Sequence, residues 1–134
     1  MLKKKEGFKG QRSIVLPRKI IQQFCLNNPI NEWIYITDIG YYPKAQYHFR
    51  QRVHGSDQHI LIYCVEGSGR VQIQKRKYTL QPGSFILIPA GEAHNYAASE
   101  EDSWTIYWIH FRGQITKKIA DTILQKNNGH RGTV

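Results

Sequence analysis

The segment from Gly83 to His94, Gly-Ser-Phe-Ile-Leu-Ile-Pro-Ala-Gly-Glu-Ala-His, constrains this chain more than any other. Gly83 follows Pro82 in a tight turn, and Phe85 to Ile88 is an apolar run of strand length. Pro89 and Gly91 then turn the chain back, because proline presets one backbone dihedral and glycine reaches left-handed values without a steric penalty. His94 opens the next strand, and Tyr96, two residues on, shares its face. A buried strand, a short turn and a second strand with His and Tyr pointing the same way leave little room for a helical fold.

The rest of the chain carries the same signature. Trp33 to Thr37, Tyr47 to Arg52, His59 to Val65, Arg70 to Gln74, Lys77 to Leu80 and Ser103 to Phe111 read as further short strands. Gly40 to Pro43 and the Gly67-Ser-Gly69 pair read as turns between them. Seven or eight strands at this spacing predict an all-β antiparallel sandwich or barrel. Pro17 opens a short helical pattern with Ile20, Ile21, Phe24 and Cys25 on one face, closed by Asn27-Asn28-Pro29. Ile115, Ile119 and Ile123 predict a C-terminal amphipathic helix, stopped by Asn127-Asn128-Gly129.

With 134 residues the chain suits one domain. Its formal charge of +9 sits at the two ends. Residues 1–19 set seven basic side chains against Glu6, and residues 112–134 set five against Asp121. The middle, 20–111, has seven basic and eight acidic residues, which argues against DNA binding by the fold itself. Cys25 and Cys64 lack C-x-x-C spacing and read as free thiols in a reducing cytosol. No apolar run is long enough to span a membrane, and no signal-peptide core follows the N-terminal lysines.

The spacing G-x5-P-x-G-x2-H at 83–94 resembles the second motif of the cupin superfamily, except that Ala98 stands where the family ends its motif with Asn. That resemblance implies a cupin-like double-stranded β-helix (jelly-roll) barrel with a short N-terminal helix and a C-terminal amphipathic helix. Many cupins hold a metal with two His and a Glu from a first motif. Counted back from Gly67, those positions are Ile60, Gly55 and Val53, which cannot ligate, while His54 and His59 lie out of register. Metal ligands, a cofactor and catalytic residues are therefore not expected.

A narrower resemblance rests on Trp104-Thr-Ile-Tyr-Trp108-Ile-His-Phe111-x-Gly113 and on Tyr-Ile-Thr-Asp-Ile-Gly-Tyr-Tyr-Pro at 35–43. With them, residues 28–113 look like the N-terminal effector-binding domain of AraC-type bacterial transcription regulators. The resemblance implies a cytoplasmic, non-catalytic sensor whose barrel binds a small molecule, often a sugar. It further implies homodimerisation through helices after the barrel, and DNA binding only through a C-terminal domain that this chain lacks. The expected organisation is a flexible basic arm at 1–13, an effector-binding barrel at 14–113, and the start of a dimerisation or linker helix at 114–134. By the same resemblance the arm folds over an occupied pocket, with Phe8, Ile14 and Val15 as its apolar parts.

Carried over residue by residue, the pocket contacts fall on Arg52, Tyr96 and Trp108, with His94 beside them. The family's His two places before the Trp is here Ile106, which points away from arabinose and toward a less polar or differently shaped effector. The chemistry of this set is coherent. A guanidinium offers a planar fork of donors to hydroxyls or a carboxylate, and an indole face packs against a ring. Ile60, Ile62 and Cys64 alternate on one strand face and are expected to line the same cavity. The competing reading is a small metal-dependent cupin enzyme acting on a sugar or an aromatic acid.

Overall fold

The computed structural model describes residues 2–134. Ten strands form two antiparallel sheets. They are β1 (Arg12–Val15), β2 (Tyr35–Tyr42), β3 (Phe49–Arg52), β4 (His59–Glu66), β5 (Gly69–Ile73), β6 (Arg76–Leu80), β7 (Ser84–Ile88), β8 (His94–Ala98), β9 (Thr105–Arg112) and β10 (Arg131–Thr133). The larger sheet runs β1-β2-β9-β4-β7-β10 and the smaller β3-β8-β5-β6. The strand spacing predicted an all-β antiparallel sandwich or barrel, and the jelly-roll arrangement is the one the cupin resemblance implied.

Alternation explains which face goes inward. On β4, Ile60, Ile62 and Cys64 are almost fully buried, as are Ile86 and Ile88 on β7 and Val71 and Ile73 on β5. These side chains meet between the sheets in one cluster that includes Trp104, which is 0% exposed. Gly69 opens β5 rather than belonging to the preceding turn, and the reason is space. A Cβ there would lie 2.1 Å from the Trp104 ring. Gly83 and Gly91 take φ of 88° and 83°, the left-handed values that the turns on either side of β7 require.

Helix α1 (Arg18–Ile21) runs on into a π-helical turn, Gln22–Leu26, of which Cys25 is the buried residue. Helix α2 (Thr116–Asn127) lays Ala120, Ile123 and Leu124 against Leu61, Leu87, Ile109 and Phe111 on the outer face of the larger sheet. Asn128 ends it in the left-handed conformation. The chain then adds β10 to the free edge of β7, a strand that three residues of weak propensity did not announce.

The N-terminal segment lies along the barrel. The Lys4 N–H donates to the Tyr47 carbonyl at 2.7 Å, and the Phe49 N–H donates to the Lys4 carbonyl at 2.8 Å. Phe8 is buried with its ring 4.9 Å from Tyr42 and 5.2 Å from His48. Ile14 and Val15, by contrast, stand mostly exposed on the edge strand β1, paired with Ile39 and Asp38.

Candidate functional site

Residues of six strands and of the segment before β1 line a partly open cavity of about 130 Å³. Strand β4 contributes Ile60 and Ile62, and β9 contributes Ile106, Trp108 and His110, successive residues of one face. Tyr96 comes from β8, and Arg50 and Arg52 from β3. Asp38 and Tyr42 come from β2, with Lys5, Glu6, Ser13 and Val15 at the mouth. The sequence set Arg52, Tyr96, Trp108, Ile106, Ile60 and Ile62 thus converges on one space.

Two sequence expectations fall elsewhere. His94 is absent from the cavity wall and stands behind Arg52, its partner across the β3–β8 ladder. Cys64 does not line the cavity either. Its thiol donates to the Glu66 and Gly67 carbonyls at 3.2 and 3.5 Å, and burial pushes its pKa up to about 11.

The position of Trp108 is set by Gly40, directly opposite it on β2. A Cβ on Gly40 would come within 2.3 Å of the indole, so the ring occupies the room a side chain would take. This is why β2 runs straight through Gly40, where the sequence suggested a turn. Trp108 also meets Tyr42 edge-on at 5.3 Å, and its buried Nε1 has no hydrogen-bond partner.

Arg52 is held from one side. Its Nη1 donates to the Tyr96 hydroxyl at 3.1 Å and lies 3.0 Å from His94 Nε2. His94 Nδ1 sits 2.9 Å from the Glu92 carbonyl and must donate to it, so Nε2 carries the lone pair that accepts from Arg52. Burial lowers the His94 pKa, with the Glu92 carbonyl opposing and the arginine charges adding to the shift. The imidazole is therefore neutral at pH 7 and acts as a positioning group for the guanidinium.

The same logic holds for two histidines that spacing did not single out. Trp104 Nε1 donates to His48 Nδ1 at 3.0 Å. Burial, then the charges of Arg50 and Arg52, push the His48 pKa down to about 3. His110 falls to about 4, again by burial, against the pull of Asp38. Its Nδ1 is 3.7 Å from Asp38 Oδ1, too long for a hydrogen bond, and that oxygen already accepts from the Thr37 hydroxyl at 2.6 Å. Tyr42 keeps its proton, since burial and then Glu6 push it up to about 12.

His48, Arg50, Asp38, Tyr42 and His110 were missing from the sequence reading of the site. For three of them the signal was present. His48 and Arg50 fall at the same period of two as Arg52, and His110 as Trp108. Asp38 and Tyr42 were hidden by the misplaced turn at Gly40.

Among the described residues, no three His, Cys, Asp or Glu side chains converge as a metal site would require. His59, one of the out-of-register candidates, accepts from the Ala90 N–H at 3.0 Å and packs on Phe111. No helix of the described residues is long and apolar enough to cross a membrane.

Two β-sheets packed over a small, polar-and-aromatic cavity define a cupin-type barrel. The chain belongs to the AraC-like ligand binding domain family, whose profile matches residues 39–131. It is 34% identical over 122 residues to the MmsAB operon regulatory protein of Pseudomonas aeruginosa, an alignment covering 88% of this chain and 38% of that protein. It is 35% identical over 65 residues to the arabinose operon regulatory protein of Escherichia coli, covering 48% and 22% respectively. The chain therefore spans well under half the length of these curated relatives. Among solved structures, YhaK from Escherichia coli matches with a TM-score of 0.57 at 10% identity, over 80% of this chain and 46% of that one. The Schizosaccharomyces pombe Cnp3 cupin domain matches with a TM-score of 0.51 at 8% identity, over 84% and 69%. Both show the fold alone.

Proposed function

We propose that this chain is the effector-sensing part of a cytoplasmic transcription regulator, and that a small molecule bound between the two sheets is the signal. The observation that carries the reading is the cavity itself. It holds an oriented Arg52, the Trp108 ring and an apolar wall, and Lys5, Glu6, Ser13 and Val15 of the N-terminal segment contribute to its lining. A ligand touching both wall and mouth would favour the docked segment over the released one, by as much as it binds the docked form better. A DNA-binding domain elsewhere in the full protein, and a second copy of the chain, would read that difference.

The test is thermal unfolding of the chain against sugars, sugar acids and aromatic acids. A ligand at a hundred times its dissociation constant adds about 2.7 kcal/mol, a shift of several degrees for a domain of this size. Arg52→Ala and Trp108→Ala should each abolish the response. A response that survives both substitutions, or stoichiometric metal with turnover of a panel compound, would overturn the sensor reading.

A further inference from the structure

The cavity lining carries an excess of positive charge, with Lys5, Arg50 and Arg52 set against Glu6 and Asp38. Arg50 and Arg52 lie two residues apart on β3, which sets their Cα atoms roughly 7 Å apart on one face. Among the described residues no carboxylate is within ion-pair distance of either guanidinium. Arg50 Nε is buried and has no hydrogen-bond partner. Arg52 spends one nitrogen on His94 and Tyr96, which orient it without neutralising it, since neither partner is a carboxylate.

Arg50 and Arg52 are half-buried, and leaving their donors unpaired at such a depth carries a cost that a bound anion would relieve. A neutral polyol could take up the donors but not the charge. A carboxylate does both, because its two oxygens fit the guanidinium fork in charge-assisted bonds. The opposite wall has another character, with Ile60, Ile62 and Ile106 each 1% exposed and presenting only hydrocarbon. Size narrows the class further. At about 130 Å³ the space is close to the roughly 150 Å³ that accommodates a single benzene.

Resting on the sensing reading, we infer that the effector is a short-chain carboxylate with a compact apolar body, its carboxylate on Arg50 and Arg52 and its hydrocarbon against Ile60, Ile62 and Ile106. Asp38 does not compete for this role. Its Oδ1 is engaged by Thr37, and it neighbours His110 rather than either arginine.

The test is isothermal titration calorimetry of this chain with straight and branched carboxylates of about three to six carbons, the size the cavity admits. The matched primary amides, inorganic phosphate and pentoses are titrated beside them. At least one acid should bind, with its amide weaker by about tenfold or more, because the amide keeps the shape and loses the charge. Arg50→Gln should weaken the acid by a similar factor and the amide distinctly less, and Arg50→Lys should recover part of the loss for the acid. Arg50 Nε has no partner in the fold, so these variants should fold and unfold at or above the wild-type temperature. Equal binding of acid and amide, indifference to Arg50→Gln, or phosphate binding as well as any carboxylate would overturn the inference. A pentose that binds where every acid fails would overturn it too, while leaving the sensing reading in place. Silence across the whole set would count against both.

Discussion

Replacing His48 by Gln isolates one buried ionisation and its effect on acid stability. In the folded chain His48 is 4% exposed, accepts from Trp104 Nε1 and faces two arginines, which together hold its pKa near 3. In the unfolded chain the same imidazole titrates near 6.5. The folded value is the depressed one, so the unfolded state binds more protons between these limits and stability falls as pH drops through 6.5 toward 3. Evaluated from those two values, His48 alone removes about 2 kcal/mol between pH 7 and pH 5. A glutamine carbonyl can still accept from Trp104, so the variant should fold, with some loss of packing that does not depend on pH. His59, His94, His110 and His130 are lowered too, so the wild-type curve contains their contributions. The readout is therefore the difference in slope. Urea unfolding at several pH values should show the H48Q curve flatter by up to about 1.4 kcal/mol per pH unit below pH 6. Parallel curves would show that His48 is not held neutral by burial, and its role as a neutral acceptor for Trp104 beside the cavity would fail with it.

Two further perturbations test the packing. Gly69→Ala drives a methyl group into the Trp104 ring, which has no exposed edge to yield toward, and should cost about 1–3 kcal/mol by urea midpoint. Phe8→Ala removes the ring that docks the N-terminal segment on Tyr42 and His48. Even about 2 kcal/mol lost there raises the released population roughly thirtyfold, read as faster tryptic cleavage at Lys4, Lys5 and Lys9. Unchanged cleavage would mean that the backbone bonds at Lys4, not Phe8, fix the segment.

Local patterns reached far into this fold. The turn residues around Phe85–Ile88 place β7 and β8 to within one residue, because proline and glycine act on the backbone where they stand. What escaped depends on distant partners. Gly40 looks like a turn residue until Trp108, at a separation of many residues, is known to lie over it. Strand β10 exists because β7 offers an open edge, and Arg-Gly-Thr carries no strand signal of its own. The site divides in the same way. Arg52, Tyr96 and Trp108 were legible through a family pattern, whereas Arg50 and His48 required the alternation of β3 to be followed one step further. Tyr42 and Asp38 could be recognised only once β2 was known to continue past Gly40.

The three tryptophans occupy three different surroundings, which gives this chain an optical label for each of its parts. Trp33 is 49% exposed beside the N-terminal helical turns, Trp104 is sealed in the core, and Trp108 lines the cavity with its indole N–H buried over Gly40. Emission from an indole responds to the polarity and hydrogen bonding around it. Single-tryptophan variants would therefore report solvent contact, core integrity and cavity occupancy as separate colours, without any attached dye. In that set Trp108 is both part of the cavity wall and the instrument that reads what enters it.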